Sequence, residues 1–255
     1  MQVIGVVPLR VEVDHRLGGR WTSLRAADRE WLWRRPDPAR DAVQPGDPFV
    51  DAGGLEECVP TVRGFPDHGD AWSRPWHEGG VDCPDFALRR VIDTRNCAVV
   101  VDYELAADPG YRFVWAAHAL LDVSPAARLV APEGTPVLIT DPEPVLRSWP
   151  AGLDLLGPDD GTAVGAVVEC GRMLVVDGDQ QLDVLVECAG QPVSIAVWRN
   201  LRGWPEDEPY RSVGVEPMLG RTFDRDDRSR PVAVVPPSGT VRWRLVLTAR
   251  ARGTA

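Results

Sequence analysis

The chain has 255 residues, of which 38 are acidic and 28 are lysine or arginine, so its formal net charge is −10. No lysine occurs, which excludes Schiff-base chemistry, pyridoxal phosphate attachment and the lysine of a phosphate-binding P-loop. The acidic balance argues against a surface for nucleic acid or an anionic membrane, because basic patches carry phosphate binding.

Five cysteines are scattered through the chain without a C-x-x-C pair, a pattern typical of free thiols in a reducing compartment. Histidines and cysteines show no metal-ligand spacing, and no glycine motif for nucleotides occurs, so we expect neither a metal nor another cofactor. Residues 1–15 carry charges too early for a signal peptide, and no apolar run approaches the roughly eighteen residues of a membrane span. We expect a cytoplasmic protein, monomeric or homodimeric.

Glycine and proline each occur 24 times, and such frequent interruption favours many short strands over long helices. A large β-sandwich can form one unit of about 200–250 residues. No shift in composition marks a boundary, so we expect one domain over residues 1–255.

The N-terminal segment alternates apolar and polar residues, as a strand with one buried face does; its apolar positions are Val3, Val7, Leu9, Val11 and Val13. Residues 17–34 have the pattern of a hairpin with a polar turn at residues 26–29. Residues 35–48 contain four prolines and are interpreted as a surface loop.

The next stretch, Gly53–Trp76, places His68, Asp70 and Arg74 between glycines and prolines, which is unlike ordinary core sequence. A hairpin is then predicted around residues 93–96.

Further along, residues 111–123 form a strand-like apolar run around His118, and Val137–Thr140 is the only clear strand between residues 132 and 158. Beyond Gly161, six segments of strand length follow almost without interruption. The fifth of them contains Glu216.

His118 and Glu216 each lie alone among apolar neighbours, and a buried titratable group costs several kcal/mol unless it is paired or used. Strand alternation places Glu216 on the face opposite Val213 and Val215, where partial burial would raise its pKa. The residues alone leave plainer interpretations open. His118 could be a core histidine bonded to backbone, Glu216 a solvated strand residue, residues 67–69 a plain turn and Arg74 a partner of Asp70.

Three segments resemble motifs of the galactose mutarotase-like family, which includes the aldose 1-epimerases: GGLEECVPTV with PDHGDAWSRPW, FVWAAHALLDVSPAARLVAPEG, and SVGVEPMLGRTFD. The resemblance implies an all-β antiparallel β-supersandwich with few or no helices, and an enzyme that interconverts sugar anomers without a cofactor.

Carried over by residue, the resemblance implies that Glu216 is the general base, that His118 is the general acid and that His68 binds and polarises the sugar. Arg74 would hydrogen-bond a sugar hydroxyl, and Asp70 and Trp198 are further expected substrate-binding residues. The partner is therefore expected to be a small-molecule sugar.

The sequence lacks a recognisable counterpart of two family features: the asparagine-rich segment before the first histidine and an acid on a middle strand. Two related functions therefore remain open. One is a carbohydrate-binding protein without catalysis. The other is a hexose-phosphate mutarotase, which would need an arginine pair such as Arg74 with Arg63 or Arg202. A polysaccharide lyase or hydrolase is a weaker alternative, because no helical companion domain or catalytic tyrosine motif is present.

Overall fold

The protein is described here by a computed structural model that covers residues 4–140 and 143–252. Within those residues the chain forms twenty strands and one five-residue helix. The helix is α1 (Pro38–Ala42), and the strands are β1 (Ile4–Val7), β2 (Leu9–Asp14), β3 (Arg20–Ala26), β4 (Arg29–Glu30), β5 (Leu55–Cys58), β6 (Gly80–Asp82), β7 (Phe86–Arg95), β8 (Ala98–Ala107), β9 (Arg112–Phe113), β10 (Trp115–Leu121), β11 (Arg128–Val130), β12 (Pro136–Ile139), β13 (Val145–Ser148), β14 (Thr162–Val168), β15 (Arg172–Asp177), β16 (Gln180–Glu187), β17 (Val193–Leu201), β18 (Arg211–Leu219), β19 (Ala233–Val234) and β20 (Thr240–Arg252).

The strands build two large antiparallel sheets. One sheet has eight strands in the order β11-β15-β16-β20-β8-β7-β6, with β1 also paired to β20. The other has ten strands in the order β13-β12-β14-β17-β18-β10-β5-β3-β2, with β4 paired to β3. A two-stranded ladder joins β9 to β19. The predicted all-β, antiparallel β-supersandwich is confirmed.

The main hydrophobic cluster lies between the two large sheets, because alternate residues of strands in both sheets belong to it. The ten-stranded sheet contributes Ala117, Ala119, Val213 and Val215, among others. The residues between them on β10 and β18 therefore point to the other face of that sheet. A second, smaller cluster on this outer face includes Ala116 and Met218. His118 and Glu216 belong to the same alternation and project from the outer face.

The N-terminal prediction of one strand needs correction. β1 pairs with β20 in the eight-stranded sheet, whereas β2 pairs with β3 in the ten-stranded sheet, so the segment changes sheet at Pro8. Proline has no N–H for a ladder hydrogen bond, which suits a break at this position. Val3 lies outside the described residues.

The interpretation of residues 35–48 as a surface loop is incomplete, because they contain α1. The Asp37 carboxylate accepts a hydrogen bond from the Ala39 N–H at 2.9 Å and caps the helix, and Pro38 occupies its first turn, where no N–H is needed. The helix brings Arg40 into the protein interior, where it is 2% exposed.

The two predicted hairpins are present as β3–β4 and β7–β8, and the six C-terminal strands are present as β14 to β18 and β20. Between residues 132 and 158 the structure has β13 in addition to the expected β12, and the two pair with each other. No helix in the described part of the chain is long and apolar enough to span a lipid bilayer.

Candidate active site

A cavity of about 230 Å³ opens on the outer face of the ten-stranded sheet. It is lined by aromatic rings, two histidines and two carboxylates as well as smaller residues: Phe49, Asp51, Val62, Arg63, His68, His118, Gly165, Val197, Trp198, Trp204, Glu216 and Phe223. A concave site with apolar walls and a few convergent polar groups is the usual form of a small-molecule site.

Glu216 and His118 face each other across neighbouring strands. The register that pairs Ala116 with Met218 and Leu120 with Gly214 places His118 opposite Glu216. Pro217, next to Glu216, has no N–H to contribute to the ladder at this point. The Glu216 Oε1 atom lies 3.8 Å from His118 Nε2. The structure therefore brings a carboxylate and an imidazole together through strand pairing alone.

Burial raises the pKa of Glu216 above its usual range, because desolvation disfavours the charged form. The side chain belongs to a residue that is 3% exposed. The nearby Asp51 carboxylate raises this pKa further, whereas His118 and Arg63 lower it. A carboxyl group whose pKa is shifted toward neutrality is better suited to exchange protons near neutral pH.

Gly214 makes room for the Glu216 carboxylate. The two residues share a face of β18, and a Cβ atom at position 214 would lie 2.3 Å from Glu216 Oε1 and 2.8 Å from the Cβ of Trp198. Real Cβ atoms do not approach other atoms this closely, so the glycine is required for the observed position of the carboxylate.

His68 reaches the cavity from a loop rather than from a strand. Its backbone adopts a left-handed conformation with φ of 57°, followed by Gly69 with φ of 80°. The His68 N–H donates to the Val62 carbonyl at 3.0 Å, and the Asp70 N–H donates to the Val59 carbonyl at 2.7 Å. The loop is therefore bonded to the chain just after β5. Residues 67–69 are both a turn and part of the cavity wall.

The His68 ring is held on both sides. It stacks on Phe49 with ring centroids 3.7 Å apart, and it meets His118 edge to face at 5.3 Å. Its Nδ1 atom lies 2.9 Å from Asp67 Oδ1. Burial lowers the pKa of His68 despite this carboxylate, so the neutral imidazole is favoured near neutral pH.

No protein-family model and no curated protein matches this sequence. Solved structures do match it along nearly the whole chain. The Slr1438 protein from Synechocystis sp. PCC 6803 matches with a TM-score of 0.68 at 13% identity, over 99% of this chain and 96% of that protein. A protein from Escherichia coli K12, proposed to be an aldose 1-epimerase, matches with a TM-score of 0.66 at 13% identity, over 98% and 100%.

A galactose mutarotase-like protein from Lactobacillus casei ATCC 334 matches with a TM-score of 0.60 at 12% identity, over 97% of this chain and all of that protein. The chain has the galactose mutarotase-like fold. The resemblance read from the motifs is thus supported at the level of fold. At 12–13% identity the likeness establishes the architecture and not the activity.

Four of the six residues predicted for the site meet in one cavity of this galactose mutarotase-like fold: His68, His118, Trp198 and Glu216. Trp198 lies on β17 opposite Gly214, on the same face as Glu216, and its ring contacts Trp204 edge to face at 6.2 Å. The roles expected for these residues stay predictions, but their proximity is a feature of the structure.

Arg74 and Asp70 are not among the cavity-lining residues. Arg74 Nη2 lies 3.5 Å from Asp70 Oδ1, which is the plainer pairing considered for these residues. Trp72 and Trp115, also present in the motifs, are buried, and the Trp115 ring N–H donates to Glu57 at 2.7 Å. The geometry therefore gives no support to Arg74 and Asp70 as sugar-binding residues.

The two glutamates of the GGLEECVP segment are structural. Glu57 accepts hydrogen bonds from Arg90, from the Tyr103 hydroxyl at 2.8 Å and from Trp115, all in the protein interior. Glu56 lies beside His118 in the β5–β10 register and is held by Arg40 at 2.7 and 2.9 Å. Both glutamates have partners that account for their burial.

Sequence reasoning missed several cavity residues: Phe49, Asp51, Trp204 and Phe223. Asp51 precedes the Gly53–Gly54 pair, so its position next to a motif was a usable signal. Phe49 and Trp204 lie in segments interpreted as loops, where no periodicity indicates direction. In the described part of the chain, no group of three or more histidine, cysteine or acidic side chains is arranged to hold a metal ion.

Proposed function

We propose that this protein is an aldose 1-epimerase-like isomerase, a mutarotase that interconverts the α and β anomers of a hexose or related sugar. The observation that carries the proposal is the facing pair of Glu216 and His118, with 3.8 Å between Oε1 and Nε2, in a cavity with aromatic walls. The galactose mutarotase-like fold supports the same conclusion.

Anomer exchange needs one base and one acid at the same carbon. The base removes the proton of the anomeric hydroxyl while the C1–O5 bond breaks, and the acid delivers a proton to the ring oxygen. The open-chain aldehyde then closes from either face, with the two proton transfers reversed. Both oxygens are bonded to C1, so two groups a few ångströms apart can reach both of them. Glu216 serves as the base and His118 as the acid, and each such group typically contributes about 10²–10⁴ in rate.

His68 has a binding role in this proposal. A neutral imidazole whose Nδ1 atom lies beside the Asp67 carboxylate carries its proton on Nδ1, which leaves Nε2 as an acceptor. Such a ring receives a hydrogen bond from a sugar hydroxyl. The resemblance implied that His68 also polarises the sugar, and a neutral ring with this tautomer does so only weakly.

The test is the Glu216→Gln variant, in which an amide of the same shape replaces the carboxylate. We expect the rate of anomer exchange to fall by about 10²–10⁴, because the amide cannot take the proton. Sugar affinity should change by no more than about tenfold, since a single hydrogen-bonding group is altered. Saturation-transfer NMR on a panel of aldoses measures both the rate and the binding.

Glu104→Gln is the matched control. Glu104 lies on β8 in the other sheet and pairs with Arg242 at 2.6 Å, so this variant makes the same chemical change far from the cavity. Its exchange rate should equal that of the wild type. An exchange rate in Glu216→Gln that also equals the wild type rate would refute the proposed role.

A carbohydrate-binding protein without catalysis is the second candidate. The absence of Arg74 and Asp70 from the cavity favours it, because the site then has fewer polar groups to position a sugar than the resemblance implied. Sugar binding by the wild type without acceleration of anomer exchange would support this second function.

A further inference from the structure

Asp51 is a cavity carboxylate that the proposed reaction does not use. It lies in the loop before β5, and 9% of its surface is exposed. Its Oδ1 atom accepts a hydrogen bond from the Gly53 N–H at 3.1 Å, and its Oδ2 atom accepts one from the Tyr210 hydroxyl. The two oxygens are thus held by two different donors, which fixes the orientation of the carboxylate.

Tyr210 is itself held rigidly by its neighbours. Its ring stacks on Trp33 with centroids 4.5 Å apart, meets Trp204 edge to face at 5.9 Å and lies 4.9 Å below the Arg35 guanidinium. Burial and the adjacent Asp51 carboxylate raise the pKa of Tyr210 far above its usual range. The tyrosine therefore stays neutral and directs its single proton at Asp51.

The Asp51 carboxylate has acceptor capacity left over. An ionised carboxylate offers about four lone-pair sites, and the structure uses two of them. When a ligand displaces water from the cavity, a buried anion with unfilled acceptor sites costs free energy unless the ligand supplies donors. Sugar hydroxyls supply them. A phosphate group near neutral pH brings negative charge and almost no donors.

The arginine pair that a phosphate would require is not assembled in the cavity. Arg74 pairs with Asp70 outside it, and the Arg202 Nε atom lies 2.8 Å from Asp159. Arg63 is the single arginine among the described residues that line the cavity, and its guanidinium lies 5.3 Å from the Phe223 ring centroid. Phosphate recognition commonly relies on several converging arginine contacts.

We propose that the cavity selects a neutral sugar over the corresponding sugar phosphate, and that Asp51, positioned by Tyr210, makes this selection. Asp51 accepts a hydrogen bond from a sugar hydroxyl and repels an anionic group in the same space. This inference rests on the sugar site of the proposed function and names the class of sugar that the site takes.

The experiment measures dissociation constants by NMR titration. The ligands are D-glucose, D-galactose and D-mannose and their 6-phosphates, and the proteins are the wild type, Asp51→Asn, Tyr210→Phe and Asp102→Asn. The last is a matched control, because Asp102 pairs with Arg244 at 2.6 Å on the other sheet and its change alters the net charge equally.

For the wild type we expect at least one neutral sugar to bind about tenfold or more tightly than its phosphate. Asp51→Asn should lose about tenfold or more in affinity for that sugar and keep less than about a threefold preference over the phosphate. Tyr210→Phe keeps the charge but frees the carboxylate, so it should weaken sugar binding and retain the preference. Asp102→Asn should behave as the wild type does.

Wild-type protein that binds a sugar phosphate as tightly as the neutral sugar would overturn the inference, as would an unchanged preference in Asp51→Asn. Should Asp51→Asn fail to fold by circular dichroism, Tyr210→Phe decides, and unchanged sugar affinity in that variant overturns the inference. Sugar binding with this selectivity but without accelerated anomer exchange refutes the proposed function and leaves the selectivity intact. No binding of any sugar refutes both.

Discussion

Gly214 offers a sharp test of how the site is built, because it contributes no chemistry and acts only through the space it leaves. In Gly214→Ala the new Cβ atom would start 2.3 Å from Glu216 Oε1, and an ordinary contact begins at 3.4 Å. The carboxylate must therefore move by about 1.1 Å, the difference between these two distances. The Cβ of Trp198, 2.8 Å away, must also yield.

A displacement of about 1 Å at a catalytic group can cost about 10² in rate, so we expect kcat/KM for anomer exchange to fall by about that factor. Overpacking of this kind typically costs about 1–3 kcal/mol of stability, which urea denaturation would measure. The backbone at position 214 needs no left-handed conformation, so the alanine introduces crowding without backbone strain. Saturation-transfer NMR provides the rate.

The double variant Gly214→Ala with Glu216→Gln shows whether the glycine acts through the glutamate. If Gly214 matters because it accommodates the carboxylate, the double variant should exchange anomers no more slowly than Glu216→Gln alone. Activity of Gly214→Ala within about threefold of the wild type, or losses that simply multiply in the double variant, would refute this reasoning.

Two further predictions concern stability. Replacing Glu57 with Gln leaves the buried Arg90 guanidinium without its countercharge, so urea denaturation should show a loss of about 3–5 kcal/mol; a loss below about 1 kcal/mol, the range of an exposed pair, would contradict this. Burial raises the pKa of Glu216 above its reference value of 4.5, so its contribution to stability is fully present below that value and is lost as the pH rises through the folded-state pKa. The stability of the wild type relative to Glu216→Gln should therefore decrease as the pH rises above 4.5, and a difference constant between about pH 4 and pH 8 would count against a raised pKa.

Local pattern in the sequence was sufficient for most of the strands. The alternation around His118 and Glu216 predicted β10 and β18, because side chains in a strand point to opposite faces with a period of two. The same alternation separated Glu216 from Val213 and Val215 correctly. The N-terminal strand was predicted as one piece because alternation continues through Pro8 and carries no information about which sheet each half joins.

The sequence by itself determined the all-β class, the order of most strands and the side of β18 on which Glu216 lies, since these depend on the periodicity of neighbouring residues. Only the tertiary structure decided which charged groups meet. Asp51 and Tyr210 are 159 positions apart, and their contact depends on the packing of two loops. Arg74 and Asp70 lie close to His68 in sequence, yet their side chains pair outside the cavity. Proximity along a loop does not determine side-chain direction, because a loop has no repeating geometry that relates one residue to the next.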